Sequence, residues 1–171
     1  MWFSIARGFA TDAAPPIKGG MDQDHPTAGR FEGREHILPV RIYYEDTDFS
    51  GLVYHANYVR YFERGRSDFL RLAGVSHTDL LERHDPAAFV VTRMEIDFKR
   101  PARIDDALQV RTTYDAARGA RLSITQRITR GEELIVQAQV SAACISLDGK
   151  PRKPPAGLVD ALRPWFCKDE G

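Results

Sequence analysis

The sequence predicts an α+β fold in which an antiparallel sheet wraps around one long central helix. Three observations carry that expectation: one amphipathic helical stripe, five runs of strand-like alternation, and compact turns between the later runs. The first strand begins at Ile37, with Leu38, Val40, Ile42 and Tyr44 on one side and Arg41 among the residues on the other. A polar, Gly-containing loop occupies residues 45–51. The long helix follows, because Tyr58, Phe62, Gly65, Phe69, Leu72 and Ala73 recur at spacings of four, three, four, three and one, building a single apolar stripe. Arg60, Glu63, Arg64, Arg66, Ser67, Asp68 and Arg71 fill much of the remaining circumference. Asn57 is the expected N-cap and Gly74 the expected C′ stop. Gly65 weakens a helix interior by about 1 kcal/mol relative to Ala, so its place on the apolar stripe predicts close approach of the helix to a sheet.

Residues 78–83 read as a short helix or turn, with a loop through His84, Asp85 and Pro86 after it. Four more strands follow. Residues 89–100 form a long run with charges on both faces, as suits a strand near an edge or an interface. Leu108, Val110, Thr112 and Tyr114 alternate against Gln109, Arg111, Thr113 and Asp115, and Leu122, Ile124, Gln126 and Ile128 against Arg121, Ser123, Thr125 and Arg127. In residues 134–147 one face carries Val136, Ala138, Val140, Ala142 and Cys144, small enough to let a helix lie close to the middle of the sheet. Tight connections make these strands antiparallel neighbours. Residues 158–165 form a short amphipathic tail. Only the long helix can cover the apolar face of such a sheet.

A chain of 171 residues, 43% hydrophobic, supplies one domain with a proper core and not two. Residues 1–36 hold five Gly and three Pro without a sustained period, and read as a disordered or loosely attached extension in which Met21 is an alternative start. That leaves residues 37–166 as the single domain. Twenty-four Lys and Arg balance 24 Asp and Glu, so the basic excess of a nucleic-acid-binding protein is missing. Two cysteines, in an apolar run and near the end, suggest neither a disulfide framework nor a paired-thiol zinc site, and point to a cytoplasmic setting. No apolar run reaches the ~20 residues of a transmembrane segment, and the start lacks the apolar region of a secretory signal.

Chemistry-bearing groups concentrate between the first strand and the long helix: Tyr43, Tyr44, Glu45, Asp46, Asp48, Tyr54, His55 and Asn57. A loop entering a helix brings unpaired backbone N–H groups and the positive end of the helix dipole. Such donors polarise a carbonyl, and a carboxylate beside them orients or deprotonates water. The residues themselves therefore point to acyl transfer or hydrolysis. Asp46, Asp48 and His55 could also be metal ligands, but the gap from Asp48 to His55 and the lack of a second nearby His argue against it. No metal and no cofactor are expected.

Tyr43-Tyr44-Glu45-Asp46-Thr47-Asp48, then Gly51, Val53-Tyr54-His55-Ala56-Asn57-Tyr58, and Phe62-Glu63-Arg64-Gly65-Arg66 resemble the signature of hotdog-fold acyl-CoA thioesterases, of the YbgC (Tol-Pal-associated) and 4-hydroxybenzoyl-CoA thioesterase type. The resemblance covers roughly residues 37–150, and the order strand, helix, four strands agrees with a hotdog fold. It implies hydrolysis of an acyl-CoA to free acid and CoA by a homodimer or homotetramer with sites at subunit interfaces. The family's catalytic carboxylate matches Asp48, as general base or as nucleophile, and its motif Tyr and His match Tyr44 and His55. Backbone N–H groups around Tyr54 and His55 would bind the carbonyl oxygen. Asn57 adjoins them as a candidate substrate contact. Lys99, Arg100 and Arg103 are the better of two basic groups for the phosphates of CoA, the other being Lys150, Arg152 and Lys153.

Each candidate has a plainer reading. Asp48 alone would be a turn residue bonding its own backbone, Tyr44 a core residue at a strand end, and Asn57 a cap. Two other functions are compatible with the pattern. One is a hotdog enoyl-thioester hydratase, although its closely spaced Asp and His are replaced here by a pair seven residues apart. The other is a non-catalytic thioester-binding or scaffold protein at the inner-membrane periphery, and an acyl carrier protein is a further candidate partner.

Overall fold

The computed structural model describes residues 28–167, apart from residues 83 and 156. The strands are β1 (Arg30–Glu32), β2 (Glu35–Arg41), β3 (Ala88–Phe98), β4 (Ala107–Arg118), β5 (Arg121–Arg130) and β6 (Glu133–Ile145). They join into one sheet in the order β1-β2-β4-β5-β6-β3, and every pairing is antiparallel. The helices are α1 (His55–Leu72), α2 (His77–Glu82) and α3 (Leu158–Leu162). Alternation with short connections gives the meander β4-β5-β6, and α1 packs Tyr58, Phe62, Gly65 and Phe69 of its expected apolar stripe on the sheet. Leu72 of that stripe is exposed, whereas Arg66 and Asp68, expected on the polar circumference, are buried in ion pairs with Glu63, His36 and Arg71. No helix among the described residues is long and apolar enough to cross a membrane.

Tyr58, Tyr61, Phe62, Phe69 and Leu70 of α1 are buried against Val110, Ile124, Ile128, Val136 and Val140 in one core. Gly65 is where helix and sheet come closest. A Cβ there would lie 2.9 Å from both Val110 Cγ1 and Thr112 Oγ1 and 3.3 Å from Gln126 Nε2. That contact is with β4 and β5. The small residues of β6, expected to receive the helix, are buried but are not the point of closest approach. The helix ends as its sequence predicts: the Val75 N–H bonds the Leu70 carbonyl at 2.8 Å and the Gly74 N–H the Arg71 carbonyl at 3.1 Å. Gly74 sits at φ 82°, a left-handed position that closes this pair of bonds at little cost for glycine.

Under α1 lies a buried polar network. Arg66 donates to Gln126 Oε1 at 2.8 Å, while Gln126 Nε2 donates to the Phe62 carbonyl and to Thr112 Oγ1, each at 2.9 Å. A buried guanidinium is tolerated only when paired in this way, and Glu63 supplies the opposite charge at 2.5 Å.

The sheet begins earlier than the alternation from Ile37 suggests. Residues 30–36, placed in the extension by their composition, form β1 and the start of β2. Their order comes from distant partners: Phe31 stacks on Trp165 at 3.8 Å and meets Phe69 edge-on at 5.1 Å. His36 is buried, with Nε2 at 2.9 Å from Asp68 Oδ2. Residues 1–27, the rest of the expected extension, lie outside the described residues. At the other end of the sheet β3 pairs, among the described residues, with β6 alone, an edge strand as its two-faced charge pattern predicts. Val91 and Phe98 stand 45% and 52% exposed on it.

Candidate active site

The polar loop between β2 and α1 is pinned at both ends by backbone geometry. Residues Tyr44–Asp46 form one 3-10 turn, in which the Tyr43 N–H donates to Asp46 Oδ2 at 2.9 Å. The Asp46 carbonyl then accepts from the Tyr54 N–H and from Asn57 Nδ2, both at 2.9 Å. Asn57 is therefore not the N-cap. Helix α1 starts two residues earlier, with Tyr54 in the cap position, and Asn57 is a buried residue of the first turn that ties the loop to the helix.

Tyr54 gives α1 no side-chain acceptor, and no acidic residue lies in the first turn. The Asn57 N–H bonds the Tyr54 carbonyl at 2.9 Å. The N–H groups of His55 and Ala56, first in the helix, have no intrahelical acceptor. Together with the helix dipole they make a site that favours negative charge.

Asp48 occupies a tight turn closed by the bridge between Thr47 and Val53, the residue before the Tyr54 cap. Its N–H bonds the Leu52 carbonyl at 2.9 Å, and its carbonyl accepts from the Gly51 N–H at 3.0 Å. Its Oδ1 accepts from the Ser50 N–H at 2.8 Å and from the Ser50 hydroxyl. The Ser50 hydroxyl is the main cause, and its N–H the next, of a carboxyl held below the usual carboxylate range; the nearby His55 charge adds to this. Exposed to solvent and ionised, this group keeps Oδ2 outside the Ser50 bonds. Ser50 escaped the sequence reading, although an Asp followed two residues on by Ser is the spacing of a side-chain-to-backbone turn.

His55 is the first residue of α1, exposed, with its ring 4.5 Å from that of Tyr54. Tyr44 is 83% exposed, so it is not the core residue that strand alternation alone suggests. Phe49, between Asp48 and Ser50, is fully exposed, and Tyr54 and Ile104 are about half exposed. Within one chain, the loop is an open shelf of aromatic and polar groups.

Residues 43–166 match the family model of the thioesterase-like superfamily. The chain is a hotdog-fold thioesterase of the YbgC type. The acyl-CoA thioester hydrolase YbgC of Escherichia coli is 43% identical over 123 residues, which span 71% of this chain and 90% of the relative. The acyl-CoA thioesterase YbgC of Haemophilus influenzae is 42% identical over 110 residues, 64% of this chain and 80% of the relative. Among solved structures, a probable thioesterase from Bartonella henselae is similar with a TM-score of 0.68 and 46% identity, covering 71% of this chain and 99% of that one.

In this thioesterase the two basic groups differ in position. An isolated bridge pairs Leu52 with Arg103, and the Val53 N–H bonds the Ala102 carbonyl at 2.9 Å, so the segment after β3 lies directly beside the Asp48 loop. Lys99 faces Asp97 at 3.4 Å and Arg100 pairs with Glu133 at 3.0 Å. Arg103 makes no ion pair among the described residues. In the second group Lys150 pairs with Asp148 at 3.0 Å and Arg152 with Asp85.

Proposed function

We propose that this chain hydrolyses acyl-CoA thioesters at the loop between β2 and α1. The observation that supports this best is an ionised carboxylate, Asp48, fixed by Ser50 beside a helix N-terminus whose cap leaves two backbone donors free. The thioester carbonyl oxygen takes those donors at His55 and Ala56, where the charge developing on it is stabilised. Asp48 either removes a proton from a water that attacks the carbonyl carbon, so that the C–S bond breaks and CoA leaves as a thiol, or attacks that carbon itself. In the second route CoA leaves as the C–S bond breaks, and water then cleaves the acyl–Asp48 anhydride, releasing the acid and regenerating the carboxylate. His55 and Tyr44 flank this centre and orient substrate or water. Asn57 holds the loop in register, and Tyr54 packs beside the thioester.

Arg103, without a carboxylate partner among the described residues and set against the Asp48 loop, is the primary contact for CoA phosphate. Arg100 and Lys99 reinforce it by exchanging their carboxylates for the ligand. The open shelf is completed by a second copy of the chain, for which the unpaired edge of β3 with Val91 and Phe98 is the natural seam. Trapping the released thiol from a panel of short, long and aromatic acyl-CoAs tests the reading. Thiol release from at least one class is expected; release from none defeats it.

A further inference from the structure

A buried phenol ordinarily finds a hydrogen-bond partner, because a hydroxyl taken from water and left unpaired costs free energy that burying the ring alone does not. Tyr58 follows that rule: its oxygen accepts the Ala102 N–H at 3.2 Å. Tyr61 does not. It is 1% exposed, and its hydroxyl is buried with no hydrogen-bond partner among the described residues. The ring is held on two sides, edge-on to Tyr58 at 6.2 Å and with the Arg64 guanidinium 5.9 Å from its centroid. Packing therefore sets where the hydroxyl points.

It stands beside the Asp46 carboxylate. Burial first, and that carboxylate next, push the phenol above its ordinary range, since an acidic neighbour favours the protonated donor. Spacing along the helix explains the meeting. Tyr54, Asn57, Tyr61 and Arg64 recur at three, four and three residues, which makes them one ridge at the start of α1. Each of them bears on residue 46. The Tyr54 N–H and Asn57 Nδ2 donate to its carbonyl at 2.9 Å, and Arg64 lines the same cleft as its side chain. Asp46 Oδ2 takes the Tyr43 N–H at 2.9 Å, which leaves Oδ1 without another donor among the described residues. A donor lacking an acceptor thus lies beside an acceptor lacking a donor.

We propose that Tyr61 is a positioning residue for the reaction assigned to this loop: its hydroxyl completes a hydrogen bond to Asp46 Oδ1 and clamps the turn Tyr44–Asp46 to the interior of α1. Asp48 lies two residues beyond that turn, and the Tyr54 cap, which leads into the donors of His55 and Ala56, hangs on the Asp46 carbonyl. One bond therefore sets the carboxylate and the carbonyl-binding donors together without touching substrate. The role rests on the proposed hydrolysis, whereas the clamp itself does not.

Tyr61→Phe keeps the ring and removes the donor. Thiol release by the full chain should show kcat lowered about tenfold with KM within about twofold, because a shifted loop misplaces the reacting groups and leaves the CoA contacts alone. In an Asp46→Ala background Tyr61→Phe should add nothing further. Hydrogen exchange gives a readout free of activity: the Tyr43 and Tyr54 amides, which bond Asp46, should exchange about tenfold faster in Tyr61→Phe, with the Val75 amide beyond the other end of α1 unchanged. Unchanged exchange at Tyr43 and Tyr54 overturns the inference, as do equal acceleration at Val75, an undiminished effect in the Asp46→Ala background, or an unchanged kcat. Faster exchange at those two amides in a chain that releases thiol from no acyl-CoA would uphold the clamp and defeat the hydrolysis instead.

Discussion

At the residue scale, the proposed hydrolysis rests on how Asp48 is held. Ser50 keeps its carboxyl below the ordinary range, so the proposed reacting anion persists as pH falls, and the acid limb of kcat/KM should lie below the ordinary carboxylate range. Ser50→Ala removes the largest of the lowering contacts, and a pH–rate profile should show that limb moving upward. An unmoved limb would show that the Ser50 hydroxyl does not set the protonation of the reacting group. The catalytic candidates were legible in the sequence because Tyr44, Asp48, Tyr54, His55 and Asn57 fall within fourteen contiguous positions. Their separate duties were less so. Asn57 reads as a cap because Asn favours that position, yet the cap is Tyr54, and what Asn57 does is decided by Asp46, eleven residues earlier.

At the element scale, α1 is set against the sheet by its one glycine. In an isolated helix Gly65→Ala would stabilise by about 1 kcal/mol; here the new methyl meets Val110 and Thr112, and overpacking should destabilise by about 1–3 kcal/mol in urea unfolding. The opposite sign would mean that the helix can lift off β4 at no cost. Gln126→Ala strips a partner from the buried Arg66 and should cost about 2–4 kcal/mol by the same measurement. Periodicity made α1 and five of the strands legible before any coordinates. It failed for β1, where Phe31 is held by Trp165 and Phe69, contacts too far along the chain to leave a local pattern.

At the scale of the whole molecule, an open catalytic shelf and an unpaired β3 edge belong to the same account. Sedimentation should give at least twice the mass of one chain, and Val91→Lys with Phe98→Lys should shift it toward one chain and lower thiol release by about tenfold or more. A monomer with full activity would leave the shelf complete in a single chain. The central claim, however, is that one carboxylate performs the hydrolysis, and one comparison tests it most directly. Wild type and Asp48→Asn are assayed for thiol release on the best acyl-CoA, with circular dichroism and mass matched. Loss of general-base or nucleophilic chemistry should lower kcat by about 100-fold or more with the fold intact; full activity in the variant would contradict the account.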